Sequence, residues 1–187
     1  MKIYKLASQY VAYHGTPSPF GKFDITFTGE GYDQEGPGIY FTSDYEDALK
    51  YTLNTGVVKK VELSLSKVVP LSGQADEGEA RQLLLWSMGL TSESELDSMD
   101  EDAYWETMLS NWGEHPATAF ESALSGFMSS YSSPHDLFMG LWHDFYRYDA
   151  VVYLKNMVKL GYDGVIIPKD WGVHYVVFNP NVIQEIE

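Results

Sequence analysis

Tyr13-His14-Gly15-Thr16 and, further along, Gly36-Pro37-Gly38-Ile39-Tyr40-Phe41-Thr42 are the two stretches on which the reading of this chain turns. Each sets a polar or aromatic functional residue in a strand-like run beside glycines, which lets a flat ligand come close to the backbone. They predict a cleft edged by strands. Tyr10-Val11-Ala12-Tyr13 and Ile39-Tyr40-Phe41-Thr42 read as strands, and Lys59 to Leu65 alternates polar with apolar residues at period two. Ser43-x-x-Glu46 predicts a capping box opening a helix that runs to about Tyr51. Toward the other end, Asp149 predicts the cap of a helix to Leu160 that stops at Gly161. Strands at Val165-Ile166-Ile167 and Tyr175-Val176-Val177-Phe178 follow it. Strands drawn from both ends of the chain, with helices between, predict an α+β fold with a mostly antiparallel core.

The middle of the chain is different in kind. From Gly73 to Leu124 twelve acidic residues face one basic residue, Arg81, so this stretch carries −11 of the formal −15. It reads as short helices: Glu77 to Met88, Ser92 to Met99 behind the capping pattern Ser92-x-x-Glu95, Glu101 to Trp112, and Ala117 to Tyr131 after Pro116. Leu83, Leu84, Trp86, Leu109 and Trp112 are the expected core of a helical insertion, placed at about residues 73–148 of a single 187-residue domain. Aromatic residues make up 15% of the chain, which predicts a folded protein. The acidity argues against a direct nucleic-acid partner, because tracking phosphates needs a basic surface. With no cysteine there is no disulfide or thiolate site, and the five histidines form no HExxH-type metal pair. No metal is expected. No run of about 18 apolar residues suggests a membrane span, so the expectation is a soluble cytoplasmic protein with no membrane partner.

Tyr40 and Tyr51 stand eleven residues apart, across a strand end, a turn and about two helical turns, so that both rings can face one cleft. Two tyrosines can sandwich a planar, electron-poor ring, adding about 0.5–1.5 kcal/mol beyond area burial. Taken singly, His14 reads as a satisfied strand histidine and the tyrosines as core aromatics. The two motifs together favour a ligand site. Gly29, Gly31 and Gly36 read as turn glycines or as a mobile loop over the ligand, and Asp163 of Gly161-Tyr162-Asp163-Gly164 as a turn residue. His115, His135 and His143 read as structural or surface groups.

On His14-Gly15-Thr16, Gly36 to Phe41, the helix to Tyr51, and Gly161-Tyr162-Asp163-Gly164 through Tyr175-Val176-Val177-Phe178-Asn179-Pro180, the chain resembles the ADP-ribosyltransferase superfamily. The likeness is to the diphtheria-toxin and poly(ADP-ribose) polymerase side, with its His-Tyr-Glu signature, and to transferase domains of phage and mobile-element proteins. The acidic segment lies outside it. The resemblance implies a split antiparallel sheet with NAD⁺ as co-substrate, cytoplasmic or, if phage-encoded, in the host cytoplasm. It implies that His14 bonds the nicotinamide ribose, that Gly15 holds the carboxamide through its backbone, and that Tyr40 and Tyr51 stack on nicotinamide. Thr16 and Phe41 complete the implied binding set.

At the third signature position the chain departs from the family: the Glu expected before the Tyr-φ-Val-Phe strand is His174. Glycosidic cleavage develops oxocarbenium character, which a carboxylate stabilises and a protonated imidazole opposes. Glu185 and Glu187 are the candidates to replace it, although their spacing does not match the motif. The implied catalytic set is His14, Tyr40 and His174. The expected activity is mono-ADP-ribosyl transfer to a protein acceptor, with a basic surface to suit the acidic segment. Two alternatives stay open: an NAD-binding pseudoenzyme, and an acidic inhibitor acting through the insertion.

Overall fold

The computed structural model describes residues 8–28, 34–99, 116–146 and 149–186. The expected helix from Glu101 to Trp112, His115, Gly29, Gly31 and Glu187 lie outside them. The chain divides into two compact units, residues 1–69 with 157–187, and residues 70–156.

The first unit is a sheet protein. Its strands are β1 (Ser8–Thr16), β2 (Ile39–Thr42), β3 (Val57–Leu65), β4 (Val68–Val69), β5 (Gly164–Lys169), β6 (Gly172–Val177) and β7 (Ile183–Glu185). They form one sheet in the order β4-β5-β6-β2-β1-β3-β7. Every pairing is antiparallel except β4 with β5, so the sheet is mixed. The period-two alternation of β3 is realised: Val61, Leu63 and Leu65 are buried in a core with Ala12, Phe41 and Val177. Each such leucine or phenylalanine, cut to alanine, costs about 2–5 kcal/mol.

The sheet is nearly divided at its centre. β1 runs alongside β3 for nine paired positions but meets β2 at one, Tyr13↔Thr42. Continuing that register would set Gly15 against Tyr40, yet no ladder pair forms there. The expected two antiparallel halves are therefore joined through a single rung, and they part just where His14 and Tyr40 stand.

Helix α1 (Tyr45–Lys50) covers this rung. Its N-cap is Asp44, whose carboxylate accepts from the Asp47 backbone N–H, rather than Ser43 as the capping-box pattern suggested. Ser43 is drawn away because its Oγ accepts from the Val173 N–H of β6 at 2.9 Å. Gly15 has to be glycine for packing: a Cβ built there would lie 1.8 Å from the Ala48 carbonyl oxygen of α1. Asp163 is more than a turn residue. Its buried carboxylate accepts from the Ser66 N–H at 2.7 Å and from the Asn179 amide at 3.3 Å, tying the β3–β4 turn to the start of β5.

The second unit is helical. It holds α2 (Glu77–Ser87), a 3₁₀ segment (Glu93–Ser98), α3 (Pro116–Ser130), α4 (Pro134–Asp144) and most of α5 (Ala150–Lys159). Asp149 caps α5 through the Val152 N–H, and the chain leaves it through Gly161 at φ 85°. Helix α4 carries no expectation from the sequence; it starts at Ser133-Pro134, with the Ser133 hydroxyl accepting from the Asp136 N–H. The Ser92-x-x-Glu95 pattern yields a 3₁₀ turn in which Glu95 reaches back to Thr91 and Ser92, not an α-helix. Leu83 and Leu84 are buried as expected and Trp86 is half-buried; Leu109 and Trp112 lie outside the described residues. Buried Tyr146 donates to the Leu83 carbonyl at 2.8 Å and accepts from the Asn156 amide, while burial pushes its phenol well above the usual range. No helix among the described residues is long and apolar enough to cross a membrane.

Candidate active site

A cavity of about 560 Å³ opens in the first unit where β1 and β2 part. His14 and Gly15 of β1, Tyr40 and Phe41 of β2, Tyr51 at the end of α1 and His174 of β6 all line it. Thr16, expected among the binding residues, does not; it ends β1 with its hydroxyl donated to the Ser18 carbonyl. Glu185 is also elsewhere, on edge strand β7 and paired with Lys59 at 2.8 Å.

His14 is held rigidly. Its Nδ1 bonds the Tyr40 carbonyl at 2.7 Å, closing the gap that the sheet leaves open between β1 and β2. A carbonyl only accepts, so Nδ1 carries the proton and the neutral ring keeps Nε2 as its acceptor. Phe20, Phe23 and Phe41 surround the ring at 5.3–5.6 Å between centroids. This burial pushes the imidazole pKa below its usual value; the bond to Tyr40 opposes the shift and the nearby Lys59 adds to it. A neutral histidine with one free acceptor suits a hydroxyl donor.

The two tyrosines differ. The half-buried Tyr40 donates its hydroxyl to the Gly36 carbonyl at 2.6 Å and accepts from the Glu35 N–H at 3.2 Å, so its ring is tied to the loop before β2. Tyr51, the C-cap of α1, is exposed at the rim.

Around His174 the structure supplies what its sequence position lacks. Tyr13, Thr42 and His174 stand in register across β1, β2 and β6, on the face that α1 covers. From α1, Asp47 Oδ2 lies 3.1 Å from His174 Nε2; from the loop before β2, Glu35 Oε2 lies 3.0 Å from Nδ1. Both carboxylates accept only, so both contacts exist together only on a ring with a proton on each nitrogen. Lys169 pairs with Glu35, and Lys50 with Asp47 at 3.0 Å. Burial pushes the Asp47 carboxyl up, but the bonds from Lys50 and His174 outweigh it and leave the group below its usual range. Two carboxylates from other elements thus flank position 174 within the same cavity. Neither was named from the sequence: Asp47 is an acidic residue in the first turn of a helix, a common place for one, and Glu35 lies in the loop before β2. Among the described residues no group of three or more His, Cys, Asp or Glu is arranged to hold a metal ion.

Residues 8–187 match the family model described as ADP-Ribosyltransferase in polyvalent proteins. The chain belongs to this family. The match takes in every cavity residue named above, and also the acidic segment that the resemblance left out. It supports ADP-ribosyltransferase chemistry at the level of the family, whose co-substrate is NAD⁺. No curated protein matches the chain. Among solved structures it is similar to one titled "Crystal structure of an anti-CRISPR protein", at 14% identity and a TM-score of 0.33, over 97% of this chain and 98% of that one.

Proposed function

We propose that the first unit binds NAD⁺ in the cavity between β1 and β2 and transfers a single ADP-ribose unit to a protein acceptor. One observation carries this reading: His14, fixed as a neutral acceptor by the Tyr40 carbonyl, shares a cavity with the Tyr40 and Tyr51 rings and with a carboxylate-flanked His174. The cavity lies within the roughly 300–1,000 Å³ range of small-molecule sites. Its donors and acceptors fit a nicotinamide riboside half. His14 Nε2 accepts from a ribose hydroxyl, and the tyrosine rings clamp the nicotinamide plane. The Gly15 backbone lies at the same opening, free of a ladder partner on β2.

The chemistry NAD⁺ supplies is a cationic leaving group: the C1′–N bond breaks, nicotinamide departs neutral with the bonding pair, and the acceptor nucleophile bonds C1′ as its proton is released. The chain's part is to orient, to shield from water and to place negative charge near C1′. Single transfers fit a site whose third signature residue is histidine. The acidic middle segment suits an acceptor with a basic surface, since it would repel a phosphate backbone.

Incubating the chain with labelled NAD⁺ and a cell lysate should mark a protein with one ADP-ribose unit by mass, and His14→Ala should abolish the mark. Equal labelling by that variant removes His14 from the site. The presence of His174 in place of the family Glu favours a second reading, an NAD⁺-binding pseudoenzyme. That reading expects NAD⁺ to raise the melting temperature with no nicotinamide released.

A further inference from the structure

We propose that Glu35, from the loop before β2, is the carboxylate that acts on the ribose of NAD⁺ in place of the strand glutamate, and that His174 is the residue that positions it. This rests on the transferase reading above. Three observations converge on Glu35. It lines the cavity, and its side chain is 13% exposed, dry enough for its charge to be felt at short range. Its two oxygens face His174 Nδ1 at 3.2 and 3.0 Å, which fixes the carboxylate beside the very side chain that occupies the signature position. Its backbone N–H donates to the Tyr40 hydroxyl at 3.2 Å, so the carboxylate and the ring assigned to nicotinamide belong to one hydrogen-bonded unit.

Asp47 faces His174 as well, and its surroundings mark it as the anchor. Each carboxylate pairs with a lysine as well as with His174, Asp47 with Lys50 and Glu35 with Lys169; Asp47 rides on α1, while Glu35 sits in the loop whose backbone bonds the Tyr40 hydroxyl. Asp47 therefore orients the ring from one side, and the ring presents Glu35 on the other. Lys169 and Lys50 offset the two carboxylates, so Glu35 acts through the position of its oxygens in the cavity and not through a net charge of the cluster. In the transfer Glu35 accepts from a ribose hydroxyl and stabilises the positive charge that grows at C1′ as the bond to nicotinamide breaks. Nicotinamide leaves with the bonding pair, the acceptor's lone pair forms the new bond to C1′, and the acceptor's proton passes to solvent. Glu35 forms no covalent bond.

The test measures three things on the full chain: NAD⁺ binding by calorimetry, the rate of label transfer at saturating and limiting NAD⁺, and the melting temperature. Glu35→Gln keeps the size of the side chain and removes its charge. It should lower kcat about 100-fold with KM little changed, as loss of a group that acts mainly in the transition state does, and lower the melting temperature because Lys169 and His174 lose their charged partner. The double variant Glu35→Gln with His174→Glu restores the family pattern and should recover activity, which a merely structural Glu35 would not allow. A Glu35→Gln variant with wild-type kcat, or a double variant that stays as slow as the single one, overturns the assignment. A wild-type chain that neither binds NAD⁺ nor transfers label overturns the transferase reading itself, with Glu35 along with it.

Discussion

Two basic side chains, each set among carboxylates, occupy the two units of this chain. In the helical unit Arg81 bonds Glu77, Glu93 and Glu121, tying α2 to the 3₁₀ segment and to α3. In the sheet unit His174 bonds Glu35 and Asp47. The motifs look alike on paper, but the glutamates around Arg81 are more than half exposed, while Glu35 and Asp47 are 13% and 9% exposed. Water screens the first cluster and leaves the second at nearly full strength, so only the second can act on a bound ligand. The units differ in charge too. Residues 70–156 hold fifteen acidic against three basic residues, and the rest of the chain twelve against nine. Most of the acidity of this protein belongs to the helical unit and not to the unit that holds the cavity between β1 and β2.

The contrast predicts unequal responses to mutation. The largest loss of stability is expected from His174→Ala, which leaves two buried carboxylates without the ring between them. Breaking such a buried pair costs about 3–5 kcal/mol, and the remaining Lys169 and Lys50 contacts hold the loss near the lower end, about 3 kcal/mol. Urea unfolding measures it, and a change below about 1 kcal/mol would place His174 with the screened surface groups. Next comes Gly15→Ala, whose new Cβ meets the Ala48 carbonyl of α1; about 2 kcal/mol is expected, with weakened NAD⁺ binding as the helix shifts. Unchanged binding and melting temperature would mean that α1 yields freely.

A pH series gives a smaller and more selective effect. Burial lowers the folded-state pKa of His14, so the unfolded chain takes up this proton first as the solution is acidified. Its contribution to stability is therefore complete above about 6.5, the ordinary imidazole value. It is lost as pH falls from there through the lowered folded pKa. Asp47, held below its usual range, contributes in the same direction at lower pH, with stability present above its unfolded value and lost as the folded carboxyl protonates. The difference in urea midpoint between wild type and His14→Gln should be constant above pH 7 and should change in the weakly acidic range; a flat difference throughout would contradict the burial argument. The smallest effect is reserved for Arg81→Met. Its exposed partners limit the loss to under about 1 kcal/mol, and 1 M salt should shrink it further.

Much of the sheet was legible because burial imposes a period on the residues of a strand. The alternation from Lys59 to Leu65 and the apolar runs near Val165 and Tyr175 each mark a strand that the structure contains. Helix ends were legible where one residue type is chemically fitted to the place, as with Asp149 and Gly161. They were misread where two candidates stood side by side: Ser43 and Asp44 can each cap α1, and the choice rests on the Val173 N–H, far away in the sequence. Helix α4 went unread although Leu137, Phe138, Leu141 and Trp142, at i, i+1, i+4 and i+5, fall on one face and give the apolar stripe that announces a helix packed on one side.

For the cavity, the order of residues alone was enough to name His14, Gly15, Tyr40, Phe41, Tyr51 and His174, because a family resemblance is carried by local motifs at characteristic spacing. It was not enough to say why Gly15 is glycine, since the carbonyl that excludes a side chain comes from Ala48 on another element. Nor could it show that the carboxylates of Glu35 and Asp47, separated from His174 by 139 and 127 residues, stand against its ring. A charge acts through distance and burial, neither of which is written along the chain. Only the tertiary structure, by bringing a loop and a helix over strand β6, sets the acid groups beside the histidine.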